Sequence, residues 1–343
     1  MSDDERASSG IGHPRATFAL FGHAEAEAAL LRAYRSSRIH HAWLIGGPQG
    51  IGKATLAYRF ARFVLAHPDP AAPQVAQATS LAVDPANETA RRIVAQGHPD
   101  LLALERTLGD TGKLKTVIAV DQVRQLVPFF GSTAGAGGWR VAIIDPVDDL
   151  NEAGENALLK LLEEPPARAL LLLIAHTPGR VRATIRSRCR KLWLRPLAET
   201  DVAKAAALTI DRTPGDPEVA AAASAAEGSV ARAIGLMDAD TAKFRTRLIA
   251  LLDGLPDVDA RALHALGDAL AVADQSLFEA FIDTVNGWLA ARLRVAGDRD
   301  TFARIAGAWD AVNRAAALTQ GYNLDRRPMI FDSFAALAQA ARR

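Results

Sequence analysis

The sequence contains a single cysteine, Cys189, among its 343 residues. One cysteine excludes an intramolecular disulfide framework and any zinc module built from several cysteines. The sequence also lacks an excess of either charge, since 40 basic and 39 acidic residues give a formal net charge of +1. A global field that would hold the chain on nucleic acid or on an anionic membrane is therefore excluded, and any such contact needs a local patch.

Long apolar runs are missing as well. No stretch approaches about 18 uncharged apolar residues, so no membrane span is expected. The first residues, MSDDER, are acidic and polar and lack the apolar core of a signal peptide. We therefore expect a cytosolic protein with a cytoplasmic location. The hydrophobic fraction of 49% is ordinary for a globular protein, and the length suits two or three domains.

Residues 47–55 read GPQGIGKAT and carry the phosphate-loop pattern G-x-x-x-x-G-K-[ST] up to its lysine. An apolar run precedes this segment and a helical pattern follows it, which is the context such a loop requires. Its candidate phosphate-binding residues are Gly47, Gly50, Gly52 and Lys53. The glycines let backbone N–H groups face phosphate oxygens, and the lysine reaches the terminal phosphates. The alternative interpretation is a glycine-rich turn without a ligand.

The groups that would hold magnesium are incomplete. Ala54 stands where the pattern has a Ser or Thr hydroxyl, and Thr55 lies about 100° further round the helix, so it should not replace that hydroxyl. Asp145 ends an aliphatic run in the position of a magnesium-holding acid, although a strand-end turn or an N-cap is an equal alternative. Pro146 follows where ATPases with an acidic pair carry a glutamate, and its side chain cannot accept a proton.

Two later segments carry further motifs. Residues 156–166, NALLKLLEEPP, predict an amphipathic helix stopped by prolines. Seven basic residues lie between Arg180 and Arg195. A solvated basic face is the plain interpretation of this run, and an arginine offered to a phosphate is the alternative, because guanidinium forms bidentate bonds to phosphoryl oxygens. Cys189 is interpreted as a small buried apolar residue, since no His/Asp constellation accompanies it.

Strand-like runs alternate with helical patterns over about residues 18–195. The strand-like runs are 42–45, 116–120, 139–145, 169–175 and 191–194. This alternation predicts an α/β fold with a doubly wound parallel sheet. Residues 66–88 are interpreted as an irregular segment, and after Pro196 the pattern is helical to the end of the sequence.

Together these segments resemble the clamp-loader branch of the AAA+ family. The resemblance is carried by HAWL at 41–44, the loop at 47–53, IID at 143–145, NALLKLLEEPP at 156–166 and SRC at 187–189. It implies an AAA+ P-loop NTPase-like domain over 18–196, a helical lid over 197–240 and an all-α collar domain over 241–343. Residues 1–17 are interpreted, from their own sequence, as a flexible lead. It also implies a hetero-pentamer with gamma/tau and delta subunits, which acts on a sliding clamp and primer-template DNA in DNA replication.

Within this family, the resemblance assigns Arg188 as an arginine finger that reaches the γ-phosphate of ATP on a neighbouring motor subunit. Ala54 and Pro146 match the type of subunit that keeps the fold but has a degraded nucleotide site. The expected function is therefore a largely non-hydrolysing stator with at most weak binding of ATP and magnesium. Residues 66–99 lack the four cysteines of the family's zinc module, so no zinc is expected.

Other interpretations stay open at this point. Arg232 lies one position later than the nucleotide-sensing arginine of motor subunits, which argues against that role. The chain could instead be an active ATPase motor if Asp148 or Thr55 replaced the missing groups, although Asp148 and Asp149 are interpreted as solvated loop acids. An unrelated P-loop kinase or nucleotide transferase is the remaining alternative.

Overall fold

A computed structural model describes residues 12–36, 38–107, 115, 117–131, 138–273, 275–295, 297–321 and 324–342. The chain forms two compact units, Met1–Ile234 and Gly235–Arg343. In the described part, no helix is both long and apolar enough to cross a membrane.

The first unit is built on one parallel sheet. Its strands are β1 (Ala42–Gly46), β2 (Leu101–Glu105), β3 (Arg140–Asp145), β4 (Ala169–Ala175) and β5 (Arg190–Trp193). They pair in the order β2-β3-β4-β1-β5. Every residue of β4 is buried, as its aliphatic sequence requires in the centre of a parallel sheet. The expected α/β fold with a parallel sheet is confirmed.

Helices connect and follow these strands. Those before β5 are α1 (Ala24–Arg35), α2 (Lys53–Ala66), α3 (Pro73–Gln77), α4 (Glu88–Val94), α5 (Val120–Arg124), α6 (Leu126–Gly131), α7 (Glu152–Glu163) and α8 (Ala183–Ser187). Those after it are α9 (Glu199–Thr209), α10 (Pro217–Ala225) and α11 (Val230–Met237). Short α3 lies in the segment predicted to be irregular.

Alternate residues of β1, β3 and β4 enter two apolar cores, one on each face of the sheet. Trp43 and Ile45 of β1 belong to the core that contains α1 and α2. Ala42 and Leu44 belong to the core that contains α5 and α7. This period of two follows from the strand geometry, and it makes the sheet doubly wound.

One strand lies elsewhere than predicted. The run at 116–120 does not form a sheet strand: Thr116 lies outside the described residues, Ile118 forms only an isolated bridge with Leu150, and α5 begins at Val120. The strand on this side of the sheet is β2, whose sequence LLALE contains no β-branched residue. Its parallel pairing with β3 overrides this weak propensity, because strand formation depends on neighbours more than on composition.

The second unit is helical in all of its described elements. After α11, these are α12 (Ala239–Asp253), α13 (Ala260–Val272), α14 (Gln275–Arg294), α15 (Arg299–Gly321) and α16 (Arg326–Ala341). Buried side chains from all of them, including Phe278, Phe281 and Phe334, form a core of its own. The predicted helical character of this region is confirmed.

Candidate nucleotide pocket and arginine motif

The glycine loop between β1 and α2 contains three glycines in backbone conformations that favour this residue. Gly47, Gly50 and Gly52 have φ angles of 152°, 75° and 96°, a region that residues with a side chain rarely adopt. A Cβ atom on Gly47 would lie 2.6 Å from the carbonyl oxygen of Leu194. Both the turn and the close approach to β5 therefore depend on glycine.

Lys53, the first residue of α2, is bonded to the loop itself. Its side chain is buried, and Nζ donates to the carbonyl oxygens of Gly47 at 2.8 Å and Pro48 at 2.5 Å. Burial lowers the pKa of Lys53 to about 8, opposed by the charges of Asp145 and Asp148. The ammonium is thus hydrogen-bonded to main-chain oxygens. In a phosphate loop, the lysine at this position reaches the phosphates instead.

The sequence-predicted magnesium groups meet at this end of the sheet but remain incomplete. Ala54 packs against the core, and Thr55 lines the cavity above the loop. Asp145 is buried at the end of β3, with Oδ1 3.9 Å from Nε2 of His176. Burial lowers the pKa of His176 to about 4, so this histidine is neutral at pH 7. The Ser or Thr hydroxyl that binds magnesium in a phosphate loop is replaced here by the methyl group of Ala54.

A cavity of about 210 Å³ extends from the loop. Its polar lining residues include Lys53, Asp145 and His176, and its apolar lining residues include Leu20, Phe21, Leu197, Leu208 and Ile234. The N–H of Val230, at the start of α11, donates to the carbonyl oxygen of Gly50 at 2.9 Å. Gly50, Gly52 and Lys53 of the loop line this cavity together with Ala54, whose side chain has no oxygen for magnesium.

Arg232, which lies one position late for a nucleotide-sensing arginine, is not among the residues that line this cavity. Its Nη1 lies 2.7 Å from Oε2 of Glu227, and its backbone N–H lies 3.3 Å from Oγ of Ser229. Ala231 takes its place among the residues that line the cavity.

Arg188 lies at the opposite end of the sheet from the glycine loop. Arg190 at the start of β5 is level with Trp43, whereas Gly47 follows the last residue of β1. Four residues of parallel strand correspond to about 13 Å, and Arg188 precedes Arg190. Its guanidinium, with the side chain 36% exposed, donates from Nη1 to the carbonyl oxygen of Thr184 at 3.0 Å.

Other members of the basic run are held within the first unit. Arg182 Nε lies 2.6 Å from Oε2 of Glu155, and the guanidinium of Arg190 stacks on the ring of Trp43 at 4.9 Å. Burial raises the pKa of the Cys189 thiol to about 12, which is consistent with a packing role for this residue.

The sequence interpretation missed several groups around the pocket. Asp148 was expected to be a solvated acid, but its carboxylate accepts the backbone N–H groups of His176 at 3.0 Å and Thr177 at 2.8 Å. Oδ2 of Asp149 lies 3.3 Å from Nε of Arg106, and Arg106 is the residue that follows the unpredicted strand β2. These contacts could not be predicted from sequence periodicity, because they join loops that follow different strands.

Residues 12–17, which fall in the expected flexible lead, contact the sheet domain. His13 Nε2 lies 3.5 Å from Oε2 of Glu105, and Arg62 donates to the carbonyl oxygen of Thr17 at 2.7 Å. Pro14 and Thr17 line the cavity, so this segment contributes to the pocket. The remaining residues of the lead, 1–11, lie outside the described residues.

Metal-ligating residues do not cluster in the described part of the chain, where no group of three or more His, Cys, Asp or Glu side chains could hold a metal ion.

Comparisons with known proteins identify relatives. A family model described as DNA polymerase III, delta subunit, matches residues 22–198. DNA polymerase III subunit delta' of Pseudomonas aeruginosa is 39% identical over 149 residues, which are 43% of this chain and 41% of the relative. Subunit delta' of Escherichia coli is 31% identical over 69% of this chain and 66% of the relative. Subunit tau/gamma of Haemophilus influenzae is 30% identical over 61% of this chain and 28% of the relative. The matches thus span less than two thirds of each relative.

Proposed function

The chain belongs to the family described as DNA polymerase III, delta subunit, and from this premise we propose that it is a clamp-loader subunit of the delta-prime type. In this role it is a largely non-hydrolysing stator that offers Arg188 as an arginine finger to ATP on a neighbouring motor subunit. Similarity to both delta' and tau/gamma subunits supports the proposal that this chain and the motor subunit share a fold.

The position of Arg188 is the observation that carries this proposal. Its backbone precedes β5, about 13 Å or more along the strands from the chain's own glycine loop, and its guanidinium is bonded to Glu163 and to the carbonyl oxygen of Thr184. An arginine so placed cannot serve its own pocket, but its partly exposed head can form bidentate bonds to a phosphate from another subunit. A finger supplied in this way is worth on the order of 10³-fold or more in hydrolysis rate.

The pocket of this chain supports a weak nucleotide site without hydrolysis. Lys53 is bonded to two loop carbonyls, Ala54 has no oxygen for magnesium, and Pro146 replaces a group that could activate water. Nucleotide, when bound, would be held by the glycine loop and by the apolar side chains that line the cavity.

The proposed partners are gamma/tau and delta subunits in a hetero-pentamer, and through that assembly the sliding clamp and primer-template DNA. The helical unit after residue 234 is the proposed collar contact. A cytoplasmic location is part of the same proposal.

The test is the ATPase rate of a loader assembled from this chain with motor and delta subunits. Arg188→Ala should lower kcat by about 10³-fold at the site that the finger serves, whereas Lys53→Ala should have a mild effect. Arg195→Ala is the matched control, because this exposed arginine belongs to the same basic run but lies beyond the other end of β5.

A motor subunit gives the reverse pattern. In that case Lys53→Ala is the severe change and the isolated chain hydrolyses ATP at the rate of a motor subunit. Either result would overturn the assignment as a stator. Phosphorylation of a small molecule by the isolated chain would favour the kinase alternative instead.

A further inference from the structure

An ion pair joins two of the motifs that were separate in the sequence. Nη2 of Arg188 lies 2.7 Å from Oε1 of Glu163, the last residue of α7 and part of the segment NALLKLLEEPP. The two side chains are 36% and 50% exposed, so this pair lies at the surface and contributes little to stability by itself. If such a pair orients a functional arginine, its loss should change the reaction rate more than the free energy of unfolding.

The backbone that carries Glu163 is anchored to the sheet. Burial lowers the pKa of His41, and the neutral ring donates from Nε2 to the carbonyl oxygen of Leu162 at 3.1 Å. The carbonyl oxygen of His41 accepts the N–H of Leu171 in β4 at 2.7 Å. The end of α7 is thereby tied to β1 and β4, near their amino ends, and Arg188 lies just before the amino end of β5.

We propose that Glu163 is a positioning residue for Arg188, an inference that rests on the proposed function of this arginine as a finger. The carboxylate of Glu163 holds one terminal nitrogen and the carbonyl oxygen of Thr184 holds the other. Guanidinium has five N–H donors in a fixed fork, so these two contacts fix its plane and leave further donors for a phosphate.

The expected effect is on the catalytic step. A long side chain that is already ordered loses less conformational freedom when it engages the phosphate, and this corresponds to about three- to tenfold in rate. Because a finger stabilises the transition state, loss of Glu163 should lower kcat and leave the KM for ATP unchanged.

The experiment uses the assembled loader with five variants of this chain, one of which is Arg188→Ala alone. Glu163→Ala should lower kcat about three- to tenfold, and Glu163→Gln, which keeps an acceptor oxygen, should recover much of the rate. Glu164→Ala is the matched control, since it removes the neighbouring exposed carboxylate. The double variant Arg188→Ala/Glu163→Ala should be no slower than Arg188→Ala alone, because Glu163 acts through the arginine.

Three outcomes separate the two proposals. If Arg188→Ala leaves the rate unchanged, the finger assignment itself is wrong. If Arg188→Ala is slow but Glu163→Ala matches the wild type, only the positioning role is overturned. If Glu163→Ala lowers the rate equally in the Arg188→Ala background, or lowers the melting temperature of this chain by several degrees, its role is structural and the proposal fails.

Discussion

Lys53 provides a test of how the charge buried inside the glycine loop affects the stability of the chain. The side chain is 3% exposed and its ammonium has two carbonyl partners within the loop. Replacing it with methionine removes the charge and keeps an unbranched chain of similar length. The comparison of wild type with Lys53→Met therefore reports on the buried charge, and every other titrating group cancels in the difference.

The sign and size of the effect follow from the pKa of Lys53. Burial lowers it from 10.5 to about 8, so between these values the unfolded chain binds more protons than the folded chain. The free energy of unfolding then rises with pH. At about 1.4 kcal/mol per pKa unit, the wild type should gain about 2 kcal/mol relative to Lys53→Met between about pH 7 and pH 9.5.

Equilibrium urea unfolding at these two pH values measures the difference. Lys160→Met is the matched control, because Lys160 is exposed on α7 and its removal should change stability equally at both values. A difference between wild type and Lys53→Met that does not vary with pH would refute the reasoning. It would show that the two carbonyl oxygens compensate fully for the loss of water around the ammonium.

Two further changes test the geometry around the pocket. Gly47→Ala should lower the free energy of unfolding by about 3 kcal/mol, because a φ of 152° is strained for alanine and its Cβ would lie 2.6 Å from the carbonyl oxygen of Leu194. Gly179→Ala, which has open space around its Cβ, should change it by less than about 0.5 kcal/mol in the same urea titration. Asp148→Ala should cost about 1–2 kcal/mol in thermal unfolding, since two backbone N–H groups lose their acceptor, and Asp148→Asn should cost less. Equal stability of Asp148→Ala and wild type would mean that water replaces the carboxylate.

The strands could be predicted from the sequence where an aliphatic run or a neighbouring motif indicated them. The aliphatic runs of β3 and β4 are long enough to indicate buried strands, and the glycine loop fixes the order of strand, turn and helix around β1. The edge strand β2 could not be found in this way, because its leucines, alanine and glutamate are typical of helices. Its strand conformation results from pairing with β3, and a single sequence does not encode the identity of that neighbour.

In the pocket and the arginine motif, the individual residues could be identified from the sequence, but the contacts between them could not. Gly47 to Thr55 were identified because consecutive residues define a phosphate loop, and Arg188 was identified through its resemblance to a family motif. The pairing of Arg188 with Glu163 brings together residues 25 positions apart, and the contact of His41 with Leu162 spans 121 positions. Parallel connections place such residues side by side only after the whole sheet has formed. In the proposed function Arg188 serves another subunit, and these long-range contacts fix its orientation. Substitutions at His41 or Glu163 should therefore affect the rate more than their modest local energies suggest.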